Sequence, residues 1–121
     1  MRLHYLEIVT PDADAVCAEY AAVHGVRFGA PEPALGNART APLAGGGLLG
    51  VRPPMRDTET PVVRPYWRVE DIAAAVAAVA ASGGDVALPP MTIPGQGACA
   101  IHLRGGTEHG LWQNATGEDR P

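Results

Sequence analysis

The sequence predicts an α+β domain in which strand–helix–three strands occurs twice, as two βαβββ halves around a polar concavity. Each half opens with a residue pattern that alternates with period two and continues with a helical apolar stripe. Three features recur at a spacing of 59 or 60 positions: Asp12 and Asp71, Gly25 and Gly84, and Gly50-Val51 and Gly110-Leu111. Such a spacing indicates an internal repeat. The 121 residues suit a single domain over 1–121.

The first half begins with a strand over Leu3–Val9, in which Leu6 and Ile8 form one face and Tyr5 and Glu7 the other. Thr10-Pro11-Asp12 then starts a helix, because Thr can cap, Pro suits the first position and Asp favours the positive end. Gly25 ends that helix. Three shorter strands are predicted near Val26–Phe28, Asn37–Ala41 and Leu48–Arg52, with a hairpin turn at Gly45–Gly47.

The second half follows a proline-rich linker at about 53–61, so that module one spans about 1–53 and module two about 62–113. Its first strand is Val62–Val69, and an alanine-rich helix then runs from Asp71 to Gly83-Gly84. Strands are predicted near Asp85–Leu88, Ala98–Leu103 and Glu108–Gln113, and we expect the polar tail 114–121 to be frayed.

The two opening strands each have one polar face, and these faces are the candidate lining of the concavity. In the second half, Val63, Trp67 and Val69 alternate with Arg64, Tyr66 and Arg68. The apolar face of each strand should pack on its own helix, which turns the polar face inward. We expect Ile101 and Leu103 to face the helix, so that His102 and Arg104 join the inner face, as does Trp112 on the side of Gly110.

Four segments carry a resemblance to a known family: YLEIVTPD at 5–12, RPYWRVEDIAAAVAAVAASGG at 64–84, ALPPMTIPGQG at 87–97 and HGLWQ at 109–113. In this order and spacing the chain resembles the vicinal oxygen chelate superfamily of glyoxalases, bleomycin-resistance proteins and extradiol dioxygenases. The resemblance implies a cup-shaped mixed sheet of two βαβββ modules with the helices on its outer face. It also implies a homodimer, because the family often completes its cups across a dimer.

The resemblance further implies where a metal would be held. Family enzymes bind a divalent metal with four inward His, Glu or Gln residues, at positions that fall here on Tyr5, Gly50, Arg64 and Gly110. Glycine offers no side chain and arginine brings a permanent positive charge, so these positions do not supply zinc or iron ligands. We therefore expect no metal and no cofactor in this cavity.

The candidate ligand-binding residues combine aromatic walls with directed polar groups, as a small-molecule pocket requires. They are Tyr5, Glu7, Arg64, Tyr66, Arg68, His102 and Trp112. Two arginines against one carboxylate favour an anionic ligand, although Arg64 and Arg68 could instead simply pair with Glu7. Glu7 and His102 are the candidate acid/base groups, but His102 could be no more than a hydrogen-bonded strand residue and Trp112 a packing residue.

Two functions are compatible with this sequence. One is a non-catalytic binder of the bleomycin-resistance kind for an anionic or aromatic molecule, and the alternative is a metal-independent enzyme acting on a small acidic metabolite. A metal-dependent lyase or dioxygenase fits the sequence less well. The net charge of −4 argues against nucleic acid, and the absence of lysine excludes Schiff-base chemistry and a P-loop lysine. No apolar run suits a membrane span or a secretory signal, so we expect a cytoplasmic protein.

Overall fold

The structure is a computed structural model that describes residues 1–115. Within these residues it contains two α-helices and a seven-stranded mixed sheet, which confirms the α+β fold class. The elements are β1 (Leu3–Val9), α1 (Ala13–His24), β2 (Arg39–Pro42), β3 (Leu48–Arg52), β4 (Val62–Arg68), α2 (Ile72–Ala81), β5 (Asp85–Ile93), β6 (Gly97–Arg104) and β7 (Thr107–Gln113). A 3₁₀ turn at Pro33–Leu35 lies between α1 and β2. Residues 116–121, most of the expected frayed tail, lie outside the described part of the chain.

The chain divides into two compact units that broadly follow the two modules. The N-terminal unit is Tyr5–Val63, and the C-terminal unit combines Met1–His4 with the chain from Arg64 onward. Residues 53–61, the predicted linker, contain neither helix nor strand. The cup shape and the single-domain organisation stay predictions.

In the N-terminal unit, β1 pairs in parallel with β3, which pairs in antiparallel with β2. One face of this sheet packs on α1 through a core of Ile8, Cys17, Leu49 and Val51, against which Leu6 also lies. The prediction that Leu6 and Ile8 face the helix is therefore confirmed. Tyr5 and Glu7 alternate with them along β1 and occupy the opposite face.

The strand predicted at Val26–Phe28 is not formed, so this unit has three strands where four were expected. The segment between α1 and β2 is held by isolated bonds, such as Gly29 N–H to Thr40 O at 2.9 Å and a bridge between Glu32 and Ala38. Prolines at 31 and 33 remove backbone donors there, and a strand ladder cannot continue through such positions.

In the C-terminal unit the strand order is β4-β7-β6-β5, with a parallel β4–β7 pair and antiparallel pairs elsewhere. The helix α2 covers a core of Ile72, Ala100 and Leu111, against which Val69 and Ala98 pack. Strand β5 extends to Ile93, beyond the predicted Leu88. This strand tolerates two prolines for two reasons. It is the last strand in the order, and its pairing with β6 shifts register twice.

The orientation predicted for β6 is wrong. Ala98 and Ala100 face α2, so the alternate residues Ile101 and Leu103 point to the other side of the sheet. His102 and Arg104 consequently lie on the helix side, where they line a cavity with Ala75, Ala78, Val79, Ser82 and Gly84 of α2 and its C-terminal turn. An alanine-rich helix packs closely on small strand residues, and the prediction had given that position to the larger apolar side chains.

Both helices end just before the predicted glycines, but the N-terminus of α1 differs from that of α2. Gly25 adopts a left-handed conformation with φ of 68° and its N–H binds Ala21 O, which ends α1. At the start of α2, the side chain of Asp71 accepts a bond from Ala74 N–H at 3.1 Å. Asp12, its repeat partner, makes no such bond; its own N–H donates to Thr10 Oγ1 at 3.1 Å.

No helix in the described residues is long and apolar enough to cross a membrane.

Candidate functional site

The predicted site residues belong to both units, and most of them are buried. Tyr5 and Glu7 lie in the N-terminal unit, whereas Arg64, Tyr66, Arg68 and Trp112 lie in the C-terminal unit. All of these except the half-buried Arg68 are less than a tenth exposed. His102 lies in the C-terminal unit too, on the face of the sheet that packs against α2.

A buried ion cluster surrounds Glu7. Arg52, which is only 3% exposed, donates from Nε to Glu7 Oε2 at 2.8 Å. Its other two nitrogens bind both oxygens of Glu59, at 2.9 and 2.7 Å, and Nη1 also donates to Pro53 O. Glu59 accepts a further bond from Met55 N–H at 2.7 Å. One arginine thus joins β3, β1 and the segment 53–61.

This cluster sets the protonation of its neighbours. Burial alone would lower the pKa of Arg52, but its hydrogen bonds to Glu59 and Glu7 outweigh that effect and raise it. Burial, reinforced by the charge of Glu7 and opposed by that of Arg52, raises the pKa of the Tyr5 phenol well above its ordinary value. Tyr5 is therefore a neutral phenol over the physiological range of pH.

The two glycines at the family's metal positions each accommodate a tyrosine ring. A Cβ atom at Gly50 would overlap the ring and hydroxyl of Tyr5, and one at Gly110 would overlap the ring of Tyr66. Tyr66 lies directly opposite Gly110 on the parallel strand β7. Within each unit, the room left by the missing side chain is filled by an aromatic ring.

Arg64 forms the charged centre of the C-terminal unit. Its Nε and Nη2 both donate to Glu108 Oε1, at 3.2 and 2.9 Å, and its Nη1 donates to Tyr66 Oη at 3.3 Å. The Arg64 side chain is 8% exposed, whereas that of Glu108 is 33% exposed. The pairing of Arg64 and Arg68 with Glu7 stays a prediction, and Glu108 is a carboxylate partner of Arg64 that the sequence analysis had not named.

Trp112 and Arg68 lie opposite each other on β7 and β4. Trp112 is 2% exposed and stacks on His4 with 5.0 Å between ring centroids. Its ring also meets the edge of Tyr66, and Nε1 donates to Gln96 O at 3.1 Å. These contacts support the packing interpretation of Trp112.

His102 is the candidate that the structure separates from the others of its unit. It stacks on His109, with ring centroids 5.1 Å apart, beside the cavity under α2. Burial, together with the charge of His109, lowers the pKa of His102. The role of His102 as an acid/base group of the inner face was a prediction from the wrong strand orientation, and its position gives that role no support.

The donor set at the family's four metal positions does not fit a metal ion. Tyr5 is a neutral buried phenol, Arg64 is bonded to Glu108, and Gly50 and Gly110 have no side chain. Among residues 1–115, no group of three or more His, Cys, Asp or Glu side chains is arranged to hold a metal. The chemistry open to these four positions is therefore that of hydrogen bonding and charge pairing.

Three charged residues of these clusters were missed: Arg52, Glu59 and Glu108. Two of them had a signal in the sequence. Arg52 follows Gly50 by two positions and Glu108 precedes Gly110 by two, and residues two apart on a strand share a face. Glu59 lies in the segment between strands, where periodicity gives no orientation.

Comparison with solved structures identifies the fold. Methylmalonyl-CoA epimerase from Mycobacterium tuberculosis matches with a TM-score of 0.74 and 16% identity, over 94% of this chain and 88% of that one. The hypothetical protein BH1468 from Bacillus halodurans C-125 matches with a TM-score of 0.77 and 12% identity, over 94% of both chains. A variant of Streptomyces coelicolor methylmalonyl-CoA epimerase in complex with 2-nitronate-propionyl-CoA matches with a TM-score of 0.69 and 18% identity, over 95% of this chain and 98% of that one. The chain thus shares the fold of these structures, with two helices and a seven-stranded mixed sheet in its described residues. No family model and no curated protein matches the chain.

Proposed function

We propose that the protein binds a small anionic molecule with an apolar or aromatic body, without a metal, on the face of the C-terminal unit that carries Arg64. Within that unit Arg64 is paired with Glu108, and Tyr66 and Arg68 follow Arg64 at alternate positions on the same face of β4. A planar guanidinium recognises carboxylates well, and the neighbouring aromatic ring suits an apolar body.

The observation that carries this proposal is the way Arg64 is paired. Both of its bonds to Glu108 go to a single oxygen, and the glutamate side chain is one-third exposed. An incoming carboxylate that offered two oxygens would match the guanidinium fork better than Glu108 does. Glu108 therefore serves as an exchangeable internal anion.

The fold gives this proposal a precedent of the right chemistry. The Streptomyces coelicolor structure with this fold is a complex with 2-nitronate-propionyl-CoA, an acyl-CoA derivative with an anionic group. At 18% identity this likeness concerns the fold alone, so acyl-CoA thioesters enter the test as one class among several.

Thermal-shift and calorimetric titrations with benzoate, phenylacetate and propionyl-CoA test the proposal, with benzyl alcohol as the neutral counterpart of benzoate. A binder stabilises the protein by RT ln(1 + [L]/Kd), so the midpoint should rise with the carboxylates and not with the alcohol. Arg64→Gln should weaken binding by roughly tenfold or more, since hydrogen bonds to charged groups contribute about 1.5–3 kcal/mol. Glu108→Gln should strengthen it.

Arg104→Gln is the matched control, because Arg104 lies in the same unit on the helix side and bonds to Ser82 O. It should leave binding unchanged. Equal stabilisation by benzyl alcohol, or binding that is indifferent to both Arg64→Gln and Glu108→Gln, would overturn the proposal.

The alternative of a metal-independent enzyme acting on a small acidic metabolite keeps one acid/base candidate. Glu7 is a buried carboxylate whose partner Arg52 is also bound to Glu59. If a stabilising acid is returned chemically changed, and Glu7→Gln abolishes the conversion while binding persists, the enzymatic function replaces simple binding. A homodimer and a cytoplasmic location remain part of the proposal and require sedimentation and localisation measurements.

A further inference from the structure

Two histidines that have no part in the proposed ligand face lie side by side on the β6–β7 hairpin. His102 and His109 are directly opposite in the antiparallel register, and their ring centroids are 5.1 Å apart with an interplanar angle of 25°. Directly opposite residues project to the same side of a sheet. For His102 this is the side of α2, whereas Gly110 and Trp112 alternate to the other side.

Hydrogen bonding fixes which nitrogen of His109 carries a proton. Thr107 Oγ1 donates its single hydrogen to Arg104 O at 2.8 Å. At its 2.8 Å contact with His109 Nε2, the hydroxyl can therefore only accept. Nε2 must be protonated, so Nδ1 of the neutral ring holds the lone pair. Metal-ligating histidines are oriented in this way, by donating their other ring N–H to an oxygen.

The surroundings leave room for a cation next to this pair. A cavity of about 340 Å³ beneath the C-terminal part of α2 is lined by His102 and Arg104, and His109 lies beside His102 at its border. The nearby charge of Arg104 is directed to the helix end, where Nη1 donates to Ser82 O at 3.0 Å. Helix C-termini favour positive charge, so Arg104, which also lines the cavity, is held at the end of α2 by this carbonyl.

We propose that His102 and His109 form a two-imidazole site for a divalent transition-metal ion such as Ni²⁺ or Zn²⁺, with water completing its coordination. Imidazole nitrogens bind these ions at ~2.0–2.1 Å along lone pairs that lie in the ring planes. The two neighbouring rings, now stacked at 25°, would therefore turn until both lone pairs meet at one ion. Imidazole is a preferred ligand for both metals. This site is independent of the proposed anion-binding face, which lies on the other side of the same sheet.

Calorimetric titration of the full chain with Ni²⁺, and separately with Zn²⁺, tests the proposal. We expect one ion per chain and a higher melting midpoint. His102→Gln and His109→Gln should each remove this binding at millimolar metal. Thr107→Val, which leaves both rings in place but removes the oxygen that orients His109, should weaken it by about tenfold or more.

His24→Gln is the matched control, because His24 is exposed at the end of α1 in the other unit. It should bind the metal like the unchanged protein. With Zn²⁺, nitrogen NMR of the imidazoles should show coordination at Nδ1 of His109. Unchanged affinity in both His102→Gln and His109→Gln, or no uptake by the unchanged protein, would contradict the proposal, and neither outcome bears on anion binding to Arg64.

Discussion

In each unit the glycine at the repeated position, Gly50 or Gly110, contacts a tyrosine ring, but the two units surround their buried arginines differently. In the N-terminal unit, Arg52 meets the two carboxylates of Glu7 and Glu59 and uses both oxygens of the latter. In the C-terminal unit, Arg64 Nε and Nη2 share one oxygen of the partly exposed Glu108, and Nη1 donates to Tyr66 Oη. The first arrangement suits a fixed structural link and the second suits exchange with a ligand. Burial alone therefore does not show whether an arginine on this fold binds a ligand. The geometry and the exposure of its partners must also be known.

The largest expected effect distinguishes the two arginines. Arg52→Met leaves Glu7 and Glu59 without their shared guanidinium in a buried setting, so we expect a loss of about 3–5 kcal/mol of stability. Arg64→Met should cost less, because Glu108 is exposed enough to be solvated. Urea denaturation of both variants measures the difference. An equal or larger loss for Arg64→Met would remove the distinction between a fixed and an exchangeable pair.

A second comparison concerns the two glycines. A Cβ at Gly110 would meet both the Tyr66 ring and the backbone carbonyl of Pro65, whereas a Cβ at Gly50 would meet the side chain of Tyr5. Overpacking costs about 1–3 kcal/mol, and backbone yields less readily than a side chain. Gly110→Ala should therefore destabilise more than Gly50→Ala in urea denaturation. Gly29→Ala, whose Cβ would lie 3.9 Å from Thr40 O, is the control and should be nearly neutral.

The helix starts give a smaller contrast. Asp71→Ala removes the side-chain cap of α2 and should cost about 1 kcal/mol. Asp12→Ala removes no cap bond, so its effect should be smaller, even though the sequence repeat makes the two aspartates equivalent. Thermal denaturation of the two variants at neutral pH provides the measurement. Equal losses would mean that the two helices begin alike in solution.

The smallest signal is spectroscopic and concerns Tyr5. Its pKa is raised by burial and by Glu7, so the folded chain resists losing this proton while the unfolded chain loses it near the ordinary value of about 10. Stability from this group is complete below pH ~10 and is lost as pH rises above it. Ultraviolet titration of the folded protein and of Tyr5→Phe should give the same phenolate signal up to pH ~11, one unit above the ordinary value. A smaller signal in Tyr5→Phe would show that Tyr5 ionises normally.

Much of the fold could be predicted from the sequence, because strand alternation and helix-ending glycines act locally. The face of β1 that packs on α1 was predicted correctly from Leu6 and Ile8. The orientation of β6 did not follow, because alternation assigns the larger apolar residues Ile101 and Leu103 to the helix side. The packing of α2 on Ala98 and Ala100 instead places their face, with its polar residues His102 and Arg104, toward the helix. The absent strand at Val26–Phe28 depends on the prolines that come after it.

The candidate site was less accessible to sequence reasoning than the fold. Tyr5, Glu7, Arg64 and Tyr66 were found because they alternate on the opening strands, and the structure buries all four. Their charged partners come from other elements: Arg52 lies 45 positions from Glu7, and Glu108 lies 44 positions from Arg64. Ion pairs across such distances depend on tertiary register, which a single sequence does not specify.

The tyrosine–glycine contacts also constrain how this chain could change by mutation. A histidine placed at Gly50 or Gly110 would collide with the ring that now occupies its space. It would become tolerable only after Tyr5 or Tyr66 had been replaced by something smaller, and that first replacement would leave a void. Each pair is therefore epistatic: neither member can change alone without loss, although both could change together. A metal-ligand set at these positions thus requires coordinated substitutions in each unit, in either direction of evolution or design.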